Sequence, residues 1–121
     1  AKKSVQLIEL DSSTAAMGKV NASASTLQAD VIETSAENAL DYITPDTPII
    51  FDPPRAGLHD KICDRILEVL PPKLIYLSCN PATQARDLAK LQQNYRIKHF
   101  EVFNFFPRTP HIESLAILEC I

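Results

Sequence analysis

The sequence predicts an α/β fold: a mostly parallel sheet, covered by helices on both faces, that ends in an antiparallel strand. Three observations carry this. Short apolar runs alternate along the chain with stretches whose apolar residues recur at helical spacing, the order expected of strands joined by crossover helices. The last two apolar runs, 95–103 and 113–120, have no helix between them, so they pair as antiparallel neighbours across the loop 104–112. Finally, 45% hydrophobic residues in a chain of 121 suffice for one domain with a modest core, residues 1–121, and exclude a disordered chain.

The elements follow in order. Residues 1–4 read as the tail of a preceding element. A first strand covers 5–10 and holds Glu9 near its end, with Asp11, Ser12 and Ser13 behind it as capping residues for a helix. That helix runs to about residue 24, with Ala16, Met17, Val20 and Ala24 assigned to its inner face. A second strand spans 29–33, and a helical turn or two follows over 36–42. The third strand, 48–51, is strongly apolar and ends at Asp52-Pro53-Pro54-Arg55. Residues 59–70 form a helix with Ile62, Cys63, Ile66, Leu67 and Leu70 on one face. The fourth strand, 73–77, is bounded by Pro71-Pro72 and Asn80-Pro81. A helix over 82–93 carries Ala82, Ala85, Leu88, Ala89 and Leu91, and Pro81 suits its first position, where a missing N–H costs nothing.

Composition narrows the function classes. No apolar run is long enough for a membrane span, and no signal-peptide pattern opens the chain. Cys63, Cys79 and Cys120 are odd in number and widely spaced, which gives neither a metal pattern nor a disulfide framework; no metal site and a reducing cytoplasm are expected. A net charge of −3 argues against strong binding of nucleic acid by this chain alone.

In a parallel sheet, ligands bind just beyond the carboxyl ends of the strands. Glu9, Ser35, Asp52 and Cys79 all fall at or just after such ends. Cys79 sits between a strand and a helix, where unpaired N–H groups and the helix dipole favour a reactive thiolate; the alternative is a small buried core residue. Glu113 opens an otherwise apolar strand, where partial desolvation would suit a general base, or where a salt bridge with Arg108 would hold it. Glu9 is either a ribose-binding acid or a solvated carboxylate. Arg55, Arg86, Arg108 and His111 read equally as a phosphate-binding patch or as ordinary surface charge, and Gly57 sits where the loop must turn.

Three blocks then carry a resemblance. Phe51-Asp52-Pro53-Pro54-Arg55-Ala56-Gly57-Leu58, Tyr76-Leu77-Ser78-Cys79-Asn80-Pro81-Ala82-Thr83 with Ala85-Arg86-Asp87-Leu88, and Phe106-Pro107-Arg108-Thr109-Pro110-His111-Ile112-Glu113-Ser114 resemble the RNA uracil-5-methyltransferases, in the same order. The resemblance runs from about Val5 to the C-terminus. It implies a Rossmann-like methyltransferase sheet, S-adenosylmethionine as cofactor, and tRNA or ribosomal RNA as substrate. It implies Cys79 as nucleophile, Glu113 as base, Glu9 at the cofactor's ribose and Asp52 beside cofactor and target base. Ser35 stands where the family tends to carry Asp or Asn near the adenine. Asp-Pro-Pro followed by an aromatic marks amino-group methyltransferases, but Arg55 takes that fourth place here.

Such enzymes carry, before the position of Ala1, a central strand, a glycine-rich cofactor loop and an RNA-binding region. The expectation is therefore a truncated domain. In it the strands 5–10 and 48–51 pair directly, recruit a strand from a second copy, or leave a water-filled slot, with direct pairing the expected outcome. Cofactor binding would be weak, and the isolated chain would methylate nothing. A non-catalytic fold fragment and an amino-group methyltransferase are the rival readings.

Overall fold

The computed structural model describes residues 4–24 and 28–121. It falls into two compact units, residues 1–42 and 43–121, and each is taken by itself.

The first unit holds β1 (Ser4–Glu9), α1 (Ser12–Ala24), β2 (Gln28–Glu33) and two 3-10 turns, Ala36–Asn38 and Leu40–Tyr42. β1 and β2 are parallel and in register from Ser4↔Gln28 to Glu9↔Glu33. Asp11 starts α1 as foreseen, its Oδ2 accepting from Thr14 N at 2.8 Å and from the Ser13 and Thr14 hydroxyls at 2.6 and 2.7 Å. Those three donors hold the Asp11 carboxyl at about 2, well below the usual range.

The inner face of α1 differs from the expected one. Met17 and Val20 are 59% and 58% exposed, and Ala15 is the buried residue of the helix. Ala15 and Gly18 lie three apart on one face, and a Cβ built on Gly18 would meet both Val31 methyls at 3.5 Å. The helix approaches β2 through its smallest residues, so the larger apolar side chains are turned outward.

The second unit contains β3 (Ile49–Phe51), α2 (Asp60–Val69), β4 (Lys73–Ser78), α3 (Pro81–Leu91), β5 (Tyr95–Phe103) and β6 (Glu113–Cys120). Its sheet runs β3-β4-β6-β5. β3 and β4 are parallel, whereas β6 is antiparallel to both of its neighbours, as the helix-free connection over 104–112 predicts. The predicted direct pairing of the first and third strands is not formed among the described residues: β1 pairs with β2 and β3 with β4, in separate sheets.

Alternation along β4 and β6 sorts the side chains. Leu74, Tyr76 and Ser78 share a face with Leu118, Ala116 and Ser114, their register partners, and all six are buried. The buried residues of α2 (Ile62, Cys63, Ile66) and of α3 (Gln84, Asp87, Leu88, Leu91) complete that core. Residues on the other face, such as Ile75, Leu77, Leu115 and Ile117, are half-buried. α2 ends on Leu70 in the left-handed region (φ 58°), its N–H returning to Ile66 O, and Pro71 prevents further helix.

Candidate active site

The carboxyl end of β4 runs directly into α3. Asn80 caps the helix, its Oδ1 accepting from Ala82 N at 3.2 Å, and Pro81 takes the first helical position as the sequence indicates. Ser78 tightens the junction: its Oγ donates to Asn80 O (2.9 Å) and accepts from Asn80 N (3.0 Å). Cys79 lies inside this bend, half-buried and free of any disulfide.

The same helix end grips the loop after β3. Asn80 Nδ2 and Thr83 Oγ1 both donate to Arg55 O, at 3.0 and 2.9 Å, and Arg86 Nη2 donates to Ala56 O at 2.8 Å. Asp87, fully buried, accepts from Leu58 N (2.9 Å) and from Tyr76 OH (2.7 Å) through Oδ2, while Arg86 donates to its Oδ1 at 3.0 and 3.2 Å. A buried carboxylate is tolerated only when it is paired and hydrogen-bonded in this way. Gly57 is required at the centre of the clamp. Its φ is +83°, and a Cβ there would stand 2.6 Å from Asp87 Oδ2 and 2.7 Å from Arg86 Nη2. Burial, and then the bond to Asp87, push the Tyr76 phenol far above its ordinary value. Burial raises the Cys63 thiol behind it to about 11.

A second buried polar group ties α3 to β6. Gln84 Nε2 donates to Tyr76 O (3.1 Å) and Ser114 O (3.2 Å), and its Oε1 accepts from Ser114 Oγ at 2.5 Å. Gln84 therefore holds two adjacent strands at the level where Glu113 begins β6. Ser78 and Ser114 are the last partners of the β4–β6 ladder. Cys79 immediately follows Ser78 in the chain and Glu113 immediately precedes Ser114, so both flank this last pair at the same end of the ladder. Phe103 is the partner of Glu113 on the other side. Asp52 follows Phe51, the partner of Tyr76, so it too lies at this edge. Three residues singled out from the sequence, Asp52, Cys79 and Glu113, are thus brought to one edge of one sheet.

Glu9 and Ser35 belong to the first unit. Glu9 ends β1, and its Oε1 accepts from Asp11 N at 3.1 Å. Ser35 precedes the first 3-10 turn in an extended conformation, and its Oγ is buried without a hydrogen-bond partner.

Sequence reading missed the clamp. Arg86, one of four cations in the possible phosphate patch, is engaged by Asp87 and Ala56. No periodicity marks Gln84 or Asp87 as buried. The available signal was the crowding of Asn, Thr, Gln, Arg and Asp into one short helix beside a Pro-Pro loop that needs donors for its carbonyls. Among the described residues no group of three His, Cys, Asp or Glu could hold a metal ion, and no helix is long and apolar enough to cross a membrane.

The family model for tRNA (uracil-5-)-methyltransferase matches residues 6–121. An uncharacterized RNA methyltransferase of Nanoarchaeum equitans is 39% identical over 117 residues, covering 97% of this chain and 26% of that protein. Another, from Bacteroides thetaiotaomicron, is 49% identical over 71 residues, 59% of this chain and 16% of that one. The chain therefore spans about a quarter or less of the length of these relatives. Among solved structures, a Pyrococcus abyssi tRNA (uracil-54, C5)-methyltransferase in complex with S-adenosyl-L-homocysteine superposes with a TM-score of 0.81 at 26% identity, covering 98% of this chain and 34% of that one. An rRNA methylase from Streptococcus thermophilus shares the fold, with a TM-score of 0.70 at 14% identity, covering 98% of this chain and 74% of that one. The fold is that of the Rossmann-like methyltransferases, and the chain belongs to the tRNA (uracil-5-)-methyltransferase family.

Proposed function

We propose that this chain is the catalytic part of an S-adenosylmethionine-dependent RNA methyltransferase that methylates carbon 5 of a uridine in tRNA or ribosomal RNA, in the cytoplasm. The observation that supports the reading is the end of the β4–β6 ladder, where the Ser78↔Ser114 pair is flanked by Cys79 on one strand and Glu113 on the other. The reaction needs those two groups.

Carbon 5 of uracil is a poor nucleophile. The Cys79 thiolate adds to carbon 6, and the electron pair of the 5,6 double bond moves to carbon 5 and the carbonyl as an enolate. When bound, S-adenosylmethionine supplies an electrophilic methyl group. Once carbon 5 carries the methyl group, the Glu113 carboxylate removes the hydrogen from that carbon. The freed pair re-forms the double bond, the bond from sulfur to carbon 6 breaks, and Cys79 leaves as the thiolate. The target base must leave its stack to reach this edge.

The residues present fit the cofactor. Ser35 offers a buried hydroxyl with no partner, and Glu9 a strand-end carboxylate with a second oxygen for a ribose diol. Asp52, beside the reacting edge, is assigned to the cofactor and the base together. Arg55, in place of an aromatic after Asp-Pro-Pro, disfavours amino-group methylation.

The test is covalent trapping in the full-length protein. RNA containing 5-fluorouridine, with S-adenosylmethionine present, forms a stable adduct because fluorine cannot be removed as a proton. The Cys79→Ala variant forms none. Glu113→Gln accumulates the adduct with ordinary uridine. Equal adduct from Cys79→Ala, or methylation at an exocyclic amine, would overturn the reading.

A further inference from the structure

Four of the five phenylalanines in the sequence fall within residues 100–106. Phe103 and Phe105 are stacked, with ring centroids 5.4 Å apart and planes parallel. Phe103 is also the ladder partner of Glu113. The stack therefore begins beside the proposed base and extends outward to Phe105, which is 61% exposed. Phe106 next to it is exposed as well.

These rings are held in place. Thr109 N and Oγ1 both donate to Phe106 O, at 3.2 and 2.6 Å, and Thr109 Oγ1 accepts from His111 N at 3.3 Å. Between them Arg108 adopts φ 65°, in the left-handed region that an L side chain rarely enters. It is exposed and forms no ion pair among the described residues. Charge follows the same boundary: residues 95–112 carry three Arg and Lys against one carboxylate, and the remaining residues nine against fourteen. An exposed aromatic stack followed three residues on by an arginine with no ion pair complements unpaired nucleotides better than it complements a second copy of this acidic chain.

We propose that the Phe103–Phe105 stack, together with Phe106 and Arg108, is a stacking subsite for the unpaired base adjacent to the target uridine. The inference rests on the RNA methyltransferase reading and adds to it a place for the neighbouring nucleotide. A uridine drawn to Cys79 and Glu113 leaves its own stack, and its neighbour loses a stacking partner. Phe105 replaces that partner, and Arg108 meets the backbone phosphate. Because every base has a π-face, the subsite selects unpaired strand and not sequence.

The experiment is equilibrium binding, without cofactor, of the full-length protein to three fluorescent RNA heptamers. One has a central uridine; the other two carry an abasic nucleotide immediately 5′ or 3′ of it. Phe105→Leu keeps the bulk and removes the ring. It is expected to weaken binding of the intact heptamer about fivefold or more. It should leave unchanged the affinity for whichever abasic heptamer lacks the stacked base, and Phe105→Trp should restore tight binding. An equal loss on all three RNAs, or no loss, overturns the subsite. So does a Phe105→Leu variant that dissolves a dimer in sedimentation with RNA affinity intact. Trapping with 5-fluorouridine separates the two claims. An adduct at Cys79 with no effect of Phe105→Leu removes the subsite alone, and a stacking loss without any adduct removes the methyl-transfer reading alone.

Discussion

The two units of this chain solve the problem of a strand end differently. In residues 43–121 the loop after β3 is held by buried Asp87, which accepts from Leu58 N and Tyr76 OH, and by Asn80, Thr83 and Arg86, which donate to its carbonyls. In residues 4–42 a two-stranded ladder and one helix are joined by small residues, with Ala15 and Ala39 the fully buried apolar positions among those described. Two strands and a helix are marginal alone. The difference teaches that the buried polar ties are concentrated at the strand ends that carry Asp52, Cys79 and Glu113. The segment bearing Glu9 and Ser35 has little core of its own, and Ser35 keeps a hydroxyl without a partner.

The sharpest way to break this contrast is Asp87→Ala. It strips the acceptor from Tyr76 OH and Leu58 N and leaves Arg86 without its partner. Arg86 is half exposed, so water recovers part of the loss; a cost of about 3 kcal/mol is expected. Urea unfolding followed by tyrosine fluorescence would read it, and a change below about 1 kcal/mol would mean the clamp is not what holds the loop.

Gly57→Ala comes next. The left-handed backbone and the contact with Asp87 together should cost about 2 kcal/mol. Covalent trapping in the Gly57→Ala protein should slow as the loop is displaced. Unchanged stability and trapping would show that the loop moves freely.

Titration should divide the units by pH. Cys63 and Tyr95, raised by burial to about 11 and about 12, and Tyr76, raised further, are all kept neutral in the folded protein. Their contribution is complete below the unfolded values and is lost as pH rises through the folded ones, so the second unit weakens from about pH 9 upward, by about 2 kcal/mol at pH 11 from Cys63 alone. Asp11 is depressed, so its capping of α1 is present above the unfolded value of 3.8 and lost as pH falls through about 2. Urea midpoints across the alkaline range, and helical circular dichroism across the acid range, give the two profiles. An alkaline decline that persists unchanged in Cys63→Ala would remove the thiol from this role.

The smallest effect has the opposite sign. Gly18 is helical, and a Cβ there meets Val31 at an ordinary 3.5 Å. Gly18→Ala should stabilise α1 by about 0.5–1 kcal/mol. A measured loss would mean that α1 and β2 cannot yield a few tenths of an ångström. The chain's two glycines thus probe the two units in opposite directions.

Much of the fold was legible because alternating and helical periodicities survive tertiary context. β5 and β6 match their predicted bounds, and Pro81 and Asn80 start α3 as their chemistry demands. The face of α1 was misread because apolar size was taken as a guide to burial, whereas close approach to β2 selected Ala15 and Gly18. At the site, Asp52, Cys79 and Glu113 could be picked out by position at strand ends. That Cys79 and Glu113 flank one end of the same ladder required the register, which depends on hydrogen bonds between strands 35 residues apart in sequence and leaves no local mark. Gln84 and Asp87 were hidden for a related reason: a polar residue in a helix reads as solvent-facing until the loop that needs its hydrogen bonds is in place.

The position of β6 between β4 and β5 has a consequence for synthesis. On the ribosome β4 and β5 emerge first, and neither can pair with the other, because the strand that belongs between them has not yet been made. Until Glu113–Cys120 has cleared the exit tunnel, β4 and β5 both lack the ladder partner that β6 gives them. Closure of the sheet is a late, long-range event, the slow kind. The nascent chain should therefore depend on chaperones through this interval, and the same closing step that ends the dependence also brings Glu113 to the sheet end that carries Cys79.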